Sequence, residues 1–246
     1  MSASLRVAHV TAGHDRTVVL RDLSLAVNAG QTAVVIGPNG HGKTTLLMAI
    51  SGLLKPMAGE IQVDGTRVDG VAAEALAGRG IIHIMQGDGL FADMTVEENL
   101  LMGAFLRSSW RDRRAALKRV YADLPVVEEK RAQKARTLSG GERRLVGLGR
   151  GMMRPARLML IDEPSLGLAP VAIDAVYAAI RRLKAESGAT ILLVEENFTH
   201  IGGIADRVHI LEAGAIVRSG SFADVSTDRT VVGTYLGAIV EPGAGT

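Results

Sequence analysis

Eight residues constrain this chain more than any others. Gly37-Pro38-Asn39-Gly40-His41-Gly42-Lys43-Thr44 fits G-x-x-x-x-G-K-[ST], and it lies between an apolar run, Thr32–Ile36, and a helical pattern over residues 43–54. Glycines let the backbone curl so that successive N–H groups point inward at an anion. The helix that starts near Lys43 adds the positive end of its dipole. Lys43 offers a point charge to the β- and γ-phosphates of a nucleotide, the Thr44 hydroxyl is a candidate ligand for Mg2+, and Thr45 ends the candidate phosphate-binding stretch.

Two further motifs bear on the same chemistry. Residues 157–161 are mostly apolar and end in Asp162-Glu163, as a buried strand running into a charged site does. In phosphate-binding α/β folds ligands sit at the carboxyl ends of strands. Asp162 is the candidate for holding Mg2+ through water, and Glu163 for polarising an attacking water as general base. Taken alone, a helix cap before Pro164 explains the same pair. In Leu138-Ser139-Gly140-Gly141-Glu142, Ser139 and Glu142 have the spacing of a capping box. Two glycines in that first turn cost helix propensity of about 1 kcal/mol each against Ala. A simple cap needs neither, whereas bared N–H groups at a helix start make an anion site.

The remaining sequence reads as alternating strands and helices. Strand patterns fall at residues 18–27, 60–63, 80–85, 157–161 and 190–194, with a late hairpin formed by 207–211 and 215–218. The runs at 157–161 and 190–194 are apolar almost throughout, as parallel strands covered on both faces are. The rhythm implies an α/β fold with a mainly parallel sheet. Residues 95–153 carry helical periodicity instead: Thr95-Val96-Glu97-Glu98 is a capping box before an apolar helix to about residue 106, and 111–124 is a charged helix. This stretch reads as a helical subdomain, about 87–155, inserted into a single domain spanning 1–240. Residues 241–246 read as a frayed tail.

Composition excludes several classes. The chain has no cysteine, which removes disulfides, thiolate metal sites and a cysteine nucleophile. Lys and Arg exceed Asp and Glu by 28 − 26 = 2, with no tract of five like charges, so no nucleic-acid footprint is present. A hydrophobic content of 47% rules out whole-chain disorder. No apolar run approaches the ~20 residues of a membrane span, and the start lacks a basic segment followed by an apolar core. These features lead us to expect a soluble, intracellular chain.

The order of the phosphate loop, the LSGGE stretch at 138–142 and the strand ending in Asp162-Glu163 resembles the nucleotide-binding subunit of an ATP-binding cassette (ABC) transporter over nearly the whole chain. More narrowly, residues 95–103, Asp162-Glu163-Pro164-Ser165-Leu166-Gly167-Leu168-Ala169-Pro170, Val194-Glu195-Glu196-Asn197 and Tyr235-Leu236-Gly237 resemble one of the two ATPase subunits of branched-chain amino-acid importers. The resemblance implies a P-loop NTPase core of ABC type with an inserted helical subdomain and an antiparallel β subdomain. It also implies ATP and Mg2+ as ligands and a head-to-tail dimer. Each ATP would lie between the phosphate loop of one subunit and Ser139, Gly140, Gly141 and Glu142 of the other. Gln86 falls at the Q-loop position, linking Mg2+ to the helical insert that grips the membrane partner, and residues 165–168 match the D-loop. The implied partners are membrane permease subunits, a second ATPase subunit of the same or a different kind and, indirectly, a solute-binding protein. The implied location is peripheral, on the cytoplasmic face of the inner membrane.

Three positions depart from the family pattern. His14 stands where an aromatic residue usually stacks on adenine. His41 occupies a phosphate-loop position usually held by Ala or Ser, and reads as solvent-facing. Glu196 stands where most such ATPases have a switch histidine, and a carboxylate there repels the γ-phosphate. We therefore expect Glu196 to turn away and hydrolysis to be slow, with His200 as a substitute if its segment is helical. The same motifs would serve a soluble ABC ATPase of an assembly scaffold, such as iron–sulfur cluster assembly, or an importer of urea, amides or other amino acids.

Overall fold

The computed structural model describes residues 2–15, 17–87, 89–196 and 198–228, with residues 107 and 108 described by their backbone alone. The stretch 235–237, Asn197 and the tail expected at 241–246 lie outside the described residues. Two long strands open the chain, β1 (Leu5–His14) and β2 (Thr17–Val27), followed by β3 (Thr32–Ile36), α1 (Lys43–Ile50), β4 (Ala58–Val63) and β5 (Thr66–Arg67). Strands β2-β1-β4-β5 form an antiparallel sheet. After α2 (Ala73–Gly78) and β6 (Ile81–Ile84) comes the helical stretch: α3 (Val96–Met102), α4 (Arg107–Arg111), α5 (Arg113–Asp123), α6 (Pro125–Glu129) and α7 (Gly140–Met152). The chain then returns through β7 (Leu158–Asp162), α8 (Pro170–Ser187), β8 (Thr190–Glu195), β9 (Arg207–Glu212), β10 (Ala215–Ser221) and α9 (Phe222–Ser226). The second sheet has the order β10-β9-β3-β8-β7-β6, parallel except for β10.

The two faces of this sheet divide the core by strand alternation. Ala33, Val35, Leu158, Leu160, Leu192 and Val194 pack with α1 and the antiparallel sheet. Val34, Ile36, Met159, Ile161, Ile191 and Leu193 pack with α8 and the inserted helices. Strands β3, β7 and β8 are buried at every position, which is why their sequences read as unbroken apolar runs.

Several boundaries differ from the sequence expectation. Strand β1 is ten residues long and carries no clean alternation. Its register against β2 slips between Val7 and Val10 and again between Val10 and Ala12. Helix α1 ends at Ile50 and not at 54, because Gly52 turns back at φ 76° so close to Val71 that a Cβ would sit 2.4 Å from its carbonyl oxygen. The charged helix expected at 111–124 forms as α5 (Arg113–Asp123), and the short helix α4 (Arg107–Arg111) precedes it across Asp112. Both capping boxes form as expected, Thr95 with Glu98 and Ser139 with Glu142.

Candidate functional site

The parallel register brings four strand ends to one edge. Ile36 lies beside Glu195, Asp162 beside Val194, and Ile161 beside Ile84. Gly37, Glu163 and Gln86, which follow β3, β7 and β6, are thereby gathered at the carboxyl edge of the sheet, where α/β folds bind ligands. The Gly37 N–H donates to the Glu195 carbonyl at 3.2 Å. A Cβ on Gly37 would lie 2.3 Å from the Leu211 carbonyl oxygen, so glycine is required where the loop leaves the sheet.

Lys43 is almost wholly buried, and it is turned back into its own loop. Its ammonium donates to the carbonyls of Gly37 at 2.7 Å and Pro38 at 3.1 Å, and pairs with Glu163 Oε1 at 2.9 Å. The other oxygen of Glu163 accepts from Gln86 Nε2 at 2.8 Å. Glu163 adopts φ 42°, a left-handed conformation uncommon in non-glycine residues. A cavity of about 380 Å3 opens over this group, walled by Val19, the loop residues Asn39, Gly40 and Gly42, and by Thr44, Thr45, Gln86 and Glu163.

Asp162 is 1% exposed, and neither of its carboxylate oxygens has a hydrogen-bond partner. Burial pushes its pKa up to about 6; the Thr44 hydroxyl and the Lys43 ammonium pull it down, while the Glu163 charge adds to the rise. A buried carboxylate left unpaired is costly unless something else completes it. A hard dication with oxygen ligands does so, and Thr44 with Asp162 is a donor set of that chemistry.

The family model described as ABC transporter matches residues 20–166. The chain belongs to the ABC transporter family. Its relatives include the high-affinity branched-chain amino acid transport ATP-binding protein BraG of Pseudomonas aeruginosa, 36% identical over 93% of this chain and 97% of the relative. The probable branched-chain amino acid transport ATP-binding protein LivF of Archaeoglobus fulgidus is 32% identical over 88% of this chain and 92% of the relative. Among solved structures, an ATP-binding cassette of an ABC transporter in its ADP conformation superimposes with a TM-score of 0.83 at 27% identity, covering 96% of this chain and all of that one. The fold is that of an ABC ATPase, and the chain is an ATPase of the family that powers transporters.

The other candidate residues of this ABC ATPase are placed unevenly. Ser139, Gly140, Gly141 and Glu142 start α7, and none of them lines the phosphate-loop cavity. The Ser139 hydroxyl accepts from the Glu142 N–H at 3.3 Å, and the Glu142 carboxylate accepts from the Ser139 N–H at 2.8 Å. Gly141 also has a packing reason, because a Cβ there would lie 2.5 Å from Ala172 Cβ on α8. His14 is exposed at the end of β1, opposite Thr17, and does not line the cavity; Val19 of β2 does. His41 is not solvent-facing: it is half-buried, and its Nδ1 accepts from the Ala213 N–H at 3.2 Å, tying the phosphate loop to the β9–β10 turn.

Glu196 is exposed, and it shares a second cavity, of about 180 Å3, with Glu163, Ser165 and His200. His200 lies in a turn and not a helix, with its ring 5.5 Å from that of Tyr177. The preceding Glu195 is buried and fully engaged. It accepts from the Tyr177 hydroxyl at 2.7 Å, from the Ser165 hydroxyl at 2.9 Å and from the Ser165 N–H at 3.2 Å. Burial, with the Glu195 charge beside it, drives the Tyr177 pKa far up, so the phenol stays a donor.

Two positioning residues went unseen in the sequence. Arg144 of α7 donates to Gly87 O at 2.6 Å and Leu166 O at 3.3 Å, joining the segments after Gln86 and after Ser165. Asn99 of α3, wholly buried, donates to Phe91 O at 3.0 Å and accepts from Phe91 N at 2.8 Å, which fixes the loop before the helix. Both act across loops, so neither leaves a local sequence signal.

Proposed function

We propose that this chain is the ATP-hydrolysing subunit of a membrane importer, with branched-chain amino acids as its solutes. The reading is carried by one observation: a buried Lys43–Glu163–Gln86 cluster at the sheet edge beside an Asp162 with no partner of its own. Residues 37–45 wrap the phosphates, and Lys43 swings from Glu163 to the β- and γ-phosphates. Thr44, Asp162 and Gln86 would hold Mg2+, which when bound would supply positive charge near the phosphates. Glu163, released from Lys43, accepts a proton from a water whose oxygen attacks the γ-phosphorus; the bond to the leaving ADP oxygen breaks, and phosphate departs.

Ser139–Glu142 stand apart from their own phosphate loop, which supports a role toward the nucleotide of a second ATPase subunit in a head-to-tail pair. No helix among the described residues is long and apolar enough to cross a membrane. In this reading the translocation path belongs to permease subunits, which this chain joins as a peripheral subunit on their cytoplasmic side. The amino-acid assignment rests on the similarity to BraG and LivF, which are named for branched-chain amino acid transport.

The test is affinity purification of the tagged chain from gently solubilised native membranes, followed by reconstitution of what co-purifies with a solute-binding protein. ATP-dependent uptake of leucine, blocked by Lys43→Ala, is the expected result. Co-purification with soluble scaffold proteins and no membrane subunit would overturn the importer reading.

A further inference from the structure

None of the β9–β10 turn lines the phosphate-loop cavity, yet the turn is braced against the phosphate loop on two sides. Leu211 closes on Gly37, whose missing side chain makes room for the Leu211 carbonyl. Further along the loop, His41 Nδ1 accepts from the Ala213 N–H at 3.2 Å. The same turn is fastened to β2. The Gly214 carbonyl accepts from the Arg21 N–H at 2.9 Å, and a Cβ on Gly214 would collide with the Val19 carbonyl. Ala213 and Gly214 take φ 45° and 85°, the left-handed pair of a tight hairpin turn, which fixes the direction of the Ala213 N–H. Val19 walls the cavity together with Asn39, Gly40 and Gly42. Gly42 packs so close to β2 that a Cβ there would lie 2.7 Å from the Leu20 side chain and 3.2 Å from that of Val19. Phosphate loop, Val19 wall and turn thus close a ring on one side of the cavity.

His41 supplies the side-chain link in this ring. A neutral imidazole accepts at Nδ1 when its proton sits on Nε2, whereas an alanine at 41 would offer the turn no acceptor. We propose that His41 is a positioning residue for nucleotide binding: by latching the phosphate loop to the β9–β10 turn, it holds the loop at the spacing from Val19 that a nucleotide fills. ATP then meets a loop already ordered, and less of the binding free energy is lost in ordering it. The inference rests on the phosphate-loop reading of residues 37–45, and it extends the nucleotide site to a turn outside the cavity.

The experiment compares full-length His41→Ala, His41→Gln and His41→Asn with the parent. Asn carries its amide oxygen on Cγ, the atom that carries Nδ1 in His, whereas Gln moves the oxygen one bond further out. Loss of one neutral hydrogen bond should raise the Kd for ATP about three- to tenfold in His41→Ala and His41→Gln. His41→Asn should bind ATP within about twofold of the parent. The loss should fall on Kd and KM and not on kcat, because ordering of the loop precedes the chemistry. Hydrogen exchange at the Ala213 amide reads the latch directly. ATP should slow it in the parent and in His41→Asn, and leave it unchanged in His41→Ala. Undiminished ATP affinity in His41→Ala overturns the inference. So does an Asn variant that loses as much as the Ala variant, since the imidazole itself would then be needed. Both results leave the phosphate-loop reading standing. If Lys43→Ala in the parent chain does not weaken ATP binding, that reading fails and this inference falls with it.

Discussion

Lys43 Nζ lies 2.9 Å from Glu163 Oε1, with both side chains nearly buried. In the proposed reaction, the residue that reaches for phosphate and the residue that activates water thus neutralise each other before ATP arrives. Removing one member of a buried pair leaves the other uncompensated, so Lys43→Ala should destabilise the nucleotide-free protein by about 3 kcal/mol. It should also abolish ATP binding. Chemical denaturation and nucleotide titration measure the two effects, and retained hydrolysis would refute the phosphate-loop assignment.

Glu163→Gln acts from the other side of the pair. The amide offers Lys43 no charge, so ATP competes for Lys43 against a weaker partner. Binding should be kept or tightened while turnover stops, and ATP should trap a dimer visible by size-exclusion chromatography. Normal hydrolysis by this variant would show that another group is the base.

Asp162 sets a pH dependence. Its folded-state pKa is raised from 3.8 to about 6 by burial, so the native state takes up a proton at higher pH than the unfolded chain does. Stability from this group is therefore gained as pH falls from about 6 to 4, and lost as pH rises through that window. Asp162→Asn should raise the stability of the nucleotide-free protein at pH 8 by up to about 3 kcal/mol, and the gain should shrink toward pH 4. The same substitution should remove Mg2+-dependent hydrolysis. Thermal melts across pH 4–8 with and without Mg2+ test both parts, and a pH-independent difference would rule out the charge as the cause.

How far the sequence reveals this molecule depends on how local each determinant is. The phosphate loop, both capping boxes and the fully buried strands were legible because their signals lie within a few residues. Strand β1 was not, because His9 and Asp22 adopt φ 51° and 50°, paired by a 2.7 Å hydrogen bond at slips in the β1–β2 register. Those irregularities break the period-two pattern by which a half-buried strand is recognised. His41 looked free for a related reason: its partner, Ala213, comes from the far end of the chain. Glu195 and Arg144 organise the loops around Glu163 through contacts that only the folded sheet creates.

Gly141 carries two separable explanations, an open N–H for an anion and close packing of α7 on α8. Its contact with Ala172 predicts that Gly141→Ala destabilises the fold by about 1–3 kcal/mol through overpacking. Ala172→Gly in the same chain should recover most of that loss. Denaturant titration of the two single variants and the double variant reads the coupling. If ATPase activity returns together with stability, packing accounts for Gly141; if stability returns and activity does not, the bared helix start matters in its own right.

Glu196 is exposed beside the cavity it shares with Glu163 and His200, and its N–H donates to Glu195 Oε2 at 3.3 Å. Its backbone is therefore anchored while its side chain is free to leave the approaching γ-phosphate. A carboxylate cannot donate a hydrogen bond to phosphate unless protonated, whereas a histidine can. Glu196→His should raise the single-site hydrolysis rate more than twofold, with little change in stability because the side chain is at the surface. His200→Ala in the parent chain should leave the rate unchanged, since His200 sits in a turn with its ring near Tyr177. Single-turnover ATP hydrolysis measures both. A Glu196→His rate within twofold of the parent would sink the assignment of Glu196 as a brake, and a large loss in His200→Ala would transfer the switch role to His200.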